Sequence, residues 1–245
     1  MSVSRTAATT RRVLEQLRRD PRTVALLLVV PMALLWLLEL VFTEQPATFD
    51  AIGPALLALF PFVVMFLVTS VTTLRERTSG TLERLLSMPL GRLDLLVGYL
   101  AAFGLVAIVQ AVLASGLMLG LLGLDVAGPA WLLVLVAVVD AVLGCALGLF
   151  VSAFARTEFQ AVQFMPAIVL PQFLLCGLLV PRDELGPVLE AISWALPLSY
   201  AVDAMQRITV EADVSARTLV DLAVVAAAIV LSVGLGAATL RRRTA

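Results

Sequence analysis

Six stretches of the chain are continuously apolar: Thr23 to Phe42, Ala51 to Leu74, Leu95 to Leu122, Ala130 to Phe154, Phe159 to Val180 and Leu219 to Leu240. Each covers the roughly 20 residues that a helix needs to cross a hydrocarbon core. None alternates apolar and polar positions with a period of two, so the strands of a membrane barrel are excluded. Backbone in lipid must satisfy its own hydrogen bonds, which leaves the helix. The pattern predicts an all-α polytopic membrane protein of six transmembrane helices, with residues 1–245 forming a single domain.

Three shorter segments carry helical periodicity without being plain spans. From Arg11 to Arg19, Val13, Leu14 and Leu17 share one face while Arg12, Glu15 and Arg19 lie largely opposite, the pattern of a short helix lying on a membrane surface. Between the second and third stretches, Gly80 opens a helix and Glu83 stands three residues later to receive the free amides at its start. Leu82, Leu85 and Leu86 then share a face, Glu83, Arg84 and Ser87 point away, and Pro89 ends the element. Between the fifth and sixth stretches, Leu185, Val188, Leu189 and Ile192 recur at helical intervals, Pro197 breaks the run, and Ala201, Val202, Met205 and Ile208 resume it. Two short half-buried helices are expected there. Upstream, Pro166 and Pro171 interrupt the fifth stretch, a break tolerated where neighbouring helices or a cavity satisfy the freed carbonyls.

Composition agrees with the pattern and charge orients it. The chain is 61% hydrophobic and 14% charged with a mean hydropathy of +1.03, against about 25% charged residues in a soluble domain. A net charge of -1 conceals a segregation of signs, because 14 of the 17 arginines fall on one side. They are Arg5, Arg11, Arg12, Arg18, Arg19 and Arg22 before the first stretch, Arg75, Arg77, Arg84 and Arg92 between the second and third, Arg156 after the fourth, and Arg241 to Arg243 at the end. The opposite connections hold mostly Asp and Glu, with only Arg182, Arg207 and Arg217 among them. Arginine is retained on the cytoplasmic side, so both termini are expected there and the plasma membrane is the expected location. The basic, Ser/Thr-rich start has no small-residue cleavage site after the first apolar run and is expected to be retained.

The chain contains no His and no Lys. Nucleophile systems built on His, His metal ligands, Schiff-base lysines and the Gly-Lys-Ser/Thr phosphate loop all fall together. No enzyme, metal or cofactor site is expected in this chain, and no nucleic-acid partner. Cys145 and Cys176 lie inside apolar runs without paired spacing and read as packing residues. Asp140, central in the fourth stretch, is the most costly polar residue, at about 2.5 kcal/mol or more in a bilayer. It is a candidate for a pathway taking cationic amphiphiles, or a neutral carboxyl hydrogen-bonded between helices. Gln110 and Gln172 are further pathway candidates, while Glu39 and Asp221 are expected to reach water at the outer interface. The pairs Gly116 and Gly120, and Gly144 and Gly148, permit close helix approach.

Two segments carry a family resemblance. RERTSGTLERLLSMPLGRLDLLVG, Arg75 to Gly98, resembles the arginine-rich G-T-L-E-x-L-L-x-x-P segment of ABC type-2 transporter permeases. LCGLLVPRDELGPVLEAISWALPLSYAVDAMQ, Leu175 to Gln206, is similar to their fifth-span and N-P-L-T-Y-x-x-D-A region, with Leu196-Pro197-Leu198-Ser199-Tyr200 where Asn-Pro-Leu-Thr-Tyr is common. The resemblance implies the membrane subunit of an exporter of a drug, antibiotic or lipid-like cargo. It also implies a second permease chain, identical or not, and two cytosolic ATPase subunits that carry the ATP and Mg. By the same resemblance the segment Thr78 to Met88 is the coupling helix seated in the ATPase. Arg75, Arg77, Thr78, Gly80, Thr81, Leu82, Glu83, Arg84, Leu85 and Leu86 are its site residues, and the Arg11 to Arg19 helix also lies at that interface. Pro181, Pro197, Tyr200 and Asp203 mark an outer re-entrant region. Two alternatives remain: a glycan or lipid-linked polymer exporter of the same family, mildly disfavoured by 7% aromatic residues, and an ion-driven secondary transporter using Asp140. The latter usually carries two related halves, and none are visible. An embedded enzyme would need clustered carboxylates, and Asp140 stands nearly alone.

Overall fold

Prolines and small polar caps fix where most of the helices begin. In the computed structural model, which describes residues 2–79 and 91–239, Pro21, Pro46, Pro187 and Pro197 each open a helix, where a missing amide costs nothing. Asp20 caps the first of these by accepting from the Thr23 amide at 3.2 Å and the Thr23 hydroxyl at 2.6 Å. Those bonds hold the Asp20 carboxyl below the usual carboxylate range. Thr157 caps another through the Gln160 amide at 3.1 Å.

The described residues form α1 (Val3–Arg18), α2 (Pro21–Phe42), α3 (Pro46–Thr78), α4 (Arg92–Gly120), α5 (Ala130–Ser152), α6 (Glu158–Leu175), a single 3-10 turn (Arg182–Glu184), α7 (Pro187–Ala195), α8 (Pro197–Val210) and α9 (Ala216–Thr239). No strand occurs among them. Five helices, α2, α3, α4, α5 and α9, are long and apolar enough to cross a membrane. The expected fifth span is shorter than its apolar run: α6 stops at Leu175, not Val180. Gly177 adopts φ +93°, a left-handed conformation that ends the helix, and Pro181 follows it. Glu158 and three glutamines also dilute the apolar character of α6.

At the start of the chain the helix is longer than its charge pattern suggests, beginning at Val3 rather than near Arg11. Thr9, Val13 and Leu17 form its buried face, and Leu14, expected with them, is only half-buried.

The bundle is centred on α5, with 67% of its apolar window buried against 17% for the peripheral α2. Its closest neighbour is α3, and glycine is the reason. A Cβ on Gly148 would stand 2.5 Å from the Phe66 carbonyl oxygen, and one on Gly144 would meet the Phe62 carbonyl still more closely. The two backbones therefore touch with no side chain between them. Gly116 and Gly120 face open space on α4, so only one of the two glycine pairs packs helices among the described residues.

Contacts divide the bundle into two ends. One gathers α1, the end of α3, the start of α4, the end of α5 and the start of α6. The other gathers the 121–129 connection, the end of α6, α7 and α8, with the Gly128 amide bonded to the Ile208 carbonyl at 2.9 Å.

Gly148→Val is expected to destabilise the protein by about 1–3 kcal/mol through overpacking, whereas Gly116→Ala, with nothing within 4 Å, leaves stability unchanged or raises it. Thermal unfolding of the two variants in detergent compares them directly.

Candidate functional site

The last turn of α3 collects the most connections at the arginine-rich end. Consecutive helical residues point about 100° apart, so Arg75, Glu76 and Arg77 fan around the helix and reach three different directions. Arg75 makes two bonds of 2.9 Å to the Glu158 carboxylate at the start of α6. Both partners are about half exposed, at 58% and 50%, so this pair contributes little, ~0–1 kcal/mol. Arg77 donates to the Ser152 carbonyl at the end of α5, one of the carbonyls that a helix end leaves without an internal partner.

Glu76 is buried, at 4% exposure, and lies at the centre of a charged triad. Arg12 of α1 donates to it at 2.8 Å and to the Tyr99 hydroxyl of α4 at 2.6 Å, and Tyr99 donates to Glu76 in turn. Arg12 also lies 5.6 Å from the Tyr99 ring centroid. Removing one member of such a buried pair costs about 3–5 kcal/mol, because the other charge is stranded. Three elements, α1, α3 and α4, are thereby pinned one turn before residue 80. Sequence reasoning counted Arg12 as one of a basic cluster and gave Glu76 no role. The signal was an acidic residue between two arginines in an otherwise basic connection.

Thr78 is the last residue of α3, its hydroxyl bonded back to the Leu74 and Arg75 carbonyls at 3.2 Å. Thr78, the first residue of the expected coupling segment, thus belongs to the spanning helix. Gly80, Thr81, Leu82, Glu83, Arg84, Leu85 and Leu86 lie outside the described residues, as do Arg241 to Arg243.

The three pathway candidates differ in how their polar groups are satisfied. Gln110 donates to the Leu27 carbonyl at 2.8 Å. That carbonyl would normally serve the amide of residue 31, which is Pro31 and has none. The glutamine thus supplies from α4 the proton that a proline removed from α2. Gln172 has a comparable role: its side-chain carbonyl accepts from the Leu198 amide at 3.3 Å, capping α8, whose own N-cap Leu196 provides no side-chain acceptor. Asp140 is fully buried, and neither of its carboxylate oxygens has a hydrogen-bond partner among the described residues. The inter-helix hydrogen bond considered for it is not formed. Asp221, expected to reach water, is instead 3% exposed and accepts from Arg207 at 2.6 Å, joining α8 to α9.

At the other end, the predicted outer residues are organised by one that was not singled out. Arg182 is buried and donates to Asp203, to the Ser193 hydroxyl at 3.2 Å and to the Ser199 carbonyl at 3.4 Å. Its guanidinium stacks 3.9 Å from the Trp194 centroid and 5.4 Å from that of Tyr200. Tyr200 in turn donates to the Trp194 carbonyl at 2.7 Å. Burial pushes the Asp203 carboxyl above the usual carboxylate range, and the adjacent Arg182 opposes that shift. Pro181 starts the turn carrying Arg182, and Pro197 opens α8, so both position this cluster without entering it. Cys145 and Cys176 are buried free thiols.

The class that these features define is an all-helical, multi-pass membrane protein. The ABC-2 type transporter family model matches residues 5–210, and the chain belongs to that family. It is similar to the probable multidrug ABC transporter permease YbhS of Escherichia coli, 25% identical over 191 residues that cover 78% of this chain and 51% of that protein. It is also similar to the probable multidrug ABC transporter permease YbhR of the same organism, 26% identical over 63% of this chain and 42% of that one. The ABC transporter G family member 20 of Dictyostelium discoideum is 27% identical over 65% of this chain and 22% of its own length. The chain thus spans about half the length, or less, of the curated relatives it matches.

Gln110→Leu is expected to cost about 1 kcal/mol, since it strands the Leu27 carbonyl, but close to nothing in a Pro31→Ala background, where the backbone recovers its own amide. Unfolding of the four proteins of this cycle in detergent measures the coupling. At the other end, Arg182→Ala should lose about 3–5 kcal/mol by leaving Asp203 buried and alone, and the double change Arg182→Met, Asp203→Leu should recover most of it. Chemical denaturation midpoints read both effects.

Proposed function

We propose that this chain is the permease subunit of an ATP-driven exporter that moves a hydrophobic or amphiphilic cargo outward across the plasma membrane. A separate cytosolic ATPase, two copies per complex, binds the ATP and Mg, and a second permease chain completes the pathway. The arginine-rich end faces the cytoplasm, with both termini on that side, as the segregation of arginines argues. The observation that carries the reading is the fan of Arg75, Glu76 and Arg77, which ties α3 to α6, to α1 and α4, and to α5 immediately before residues 80–90. A push delivered to that connection reaches several helices at once as a rigid-body displacement, where a flexible loop would absorb it.

The apolar surface supports the choice of cargo class only broadly. Relatives named as multidrug permeases favour an amphiphile, and the absence of Lys leaves the chain without a phosphate-loop lysine of its own. Asp140 is kept as a candidate pathway residue because no other group within the described residues satisfies it.

Glu76→Gln is the decisive variant. It preserves shape but removes the charge that holds Arg12, so the protein should insert and retain its ATPase while drug export falls roughly two- to thirtyfold, the range of a coupling change of ~0.5–2 kcal/mol. Leu85→Pro should abolish export with insertion intact. Export that persists without the ATPase and stops when the ion gradient is collapsed would overturn the proposal in favour of a secondary transporter.

A further inference from the structure

One side of α1 faces outward from the triad and meets α4 only through Thr10 at its edge. Ala7, Thr10, Arg11, Leu14, Glu15 and Arg18 line a shallow groove of about 500 Å³ there. Their spacing, three and four residues apart over three turns, places them along a single side of the helix. Alanine and leucine give the groove an apolar floor, and the two arginines stand at its rim. Arg11 is 83% exposed and engages Glu15 at 2.9 Å with only one face of its guanidinium, while Arg18 is exposed. Exposed Arg19 and Arg22 lie close by along the chain and add to the positive field.

The depth of α1 indicates what meets this groove. At ~1.5 Å per residue, the 29 residues of α4 span about 43 Å, well beyond the ~30 Å of hydrocarbon. The outward-facing large apolar side chains of α4 cluster from Leu105 to Leu113, with Leu93 the exception in its first turn. The opening turns of α4 precede that cluster, and α1 packs on them. The Ser2 amide bonds to Asp94 at 2.9 Å, the Thr10 hydroxyl to the Gly98 carbonyl at 3.1 Å, and Arg12 to Tyr99. A Cβ on Gly98 would stand 2.6 Å from the Thr9 Cβ, so the two helices are in close contact. After α1 only Arg19 and Asp20 intervene before α2 enters its apolar run. The groove therefore sits at the level of the lipid headgroups, on the side of the membrane where its arginines lie.

We propose that this groove is a binding site for an anionic phospholipid. The phosphate is held between Arg11 and Arg18, and the glycerol and upper acyl chain lie on Ala7 and Leu14. A guanidinium pair suits phosphate geometry through parallel N–H donors, and arginines at a membrane surface draw anionic lipid in preference to zwitterionic lipid. Occupancy would hold α1 against α4 and so favour the Arg12 triad on its other flank. This inference concerns lipid alone and does not depend on the cargo or the energy source.

The test uses the full-length protein in detergent, titrated with dioleoylphosphatidylglycerol or dioleoylphosphatidylcholine and followed by native mass spectrometry. The expected result is saturable retention of phosphatidylglycerol over phosphatidylcholine, weakened roughly thirtyfold in Arg11→Gln, Arg18→Gln and by less than twofold in Arg5→Gln, which lies off the groove. The double variant should unfold at the wild-type temperature without lipid, since both arginines are exposed. Equal affinity for the two lipids, or undiminished phosphatidylglycerol retention in the double variant, would overturn the proposal. Loss of the ATPase from the double variant with lipid retention unchanged would also overturn it, and would assign this face to a protein partner.

Discussion

A bilayer offers no hydrogen bonds, so every polar group placed at depth in this chain must be answered by another part of the chain. Much of the architecture follows from how that obligation is met. Prolines inside α2, α3 and α6 each remove an amide and free a carbonyl. For α2 the answer is a glutamine from α4, and the unsupported start of α8 is answered by a glutamine from α6. The exposed carbonyl at the end of α5 is answered by an arginine from α3. These bonds are individually modest, yet each joins a different pair of helices, so together they specify which helices are neighbours.

Charges follow the same rule with higher stakes. Glu76, Arg182 and Asp221 are all buried, and each is held by a partner on another element. The first lies at the arginine-rich end and the other two at the opposite end, so both rims of the bundle are closed by ion pairs while the middle is apolar. Asp140 is the exception, buried in α5 with no partner among the described residues. The hydroxyls of Thr73 and Ser115 are likewise buried without a hydrogen-bond partner there, but Asp140 is the carboxyl among them and so the costliest to leave unanswered.

The apolar runs made four of the six expected spans and the spanning stretch of α3 legible, because length and composition alone decide them. The end of α6 was less so: the run continues to Val180, but Gly177 turns the backbone first, and a glycine flanked by apolar residues gives no periodic signal. The two helices that meet at Pro197 were readable from that proline and the helical spacing on either side of it. The candidate site was harder to see. Glu76, Tyr99 and Arg12 are separated by 23 and 64 residues or more, so nothing local in the sequence brings them together. Gln110 and Gln172 were noticed as polar groups in lipid, but their partners are main-chain atoms, which no residue pattern reveals. Of the two glycine pairs, only the contact with α3 distinguishes the one that packs from the one that does not.

Pro31 and Gln110 lie 79 positions apart and yet are coupled through one main-chain oxygen. A lineage that first replaces the proline gives α2 back its amide and frees the glutamine to drift. One that first replaces the glutamine must carry a stranded carbonyl until the proline also changes. The two routes between the same endpoints are therefore unequal, and the order in which the two codons change is biased by a single main-chain oxygen on Leu27.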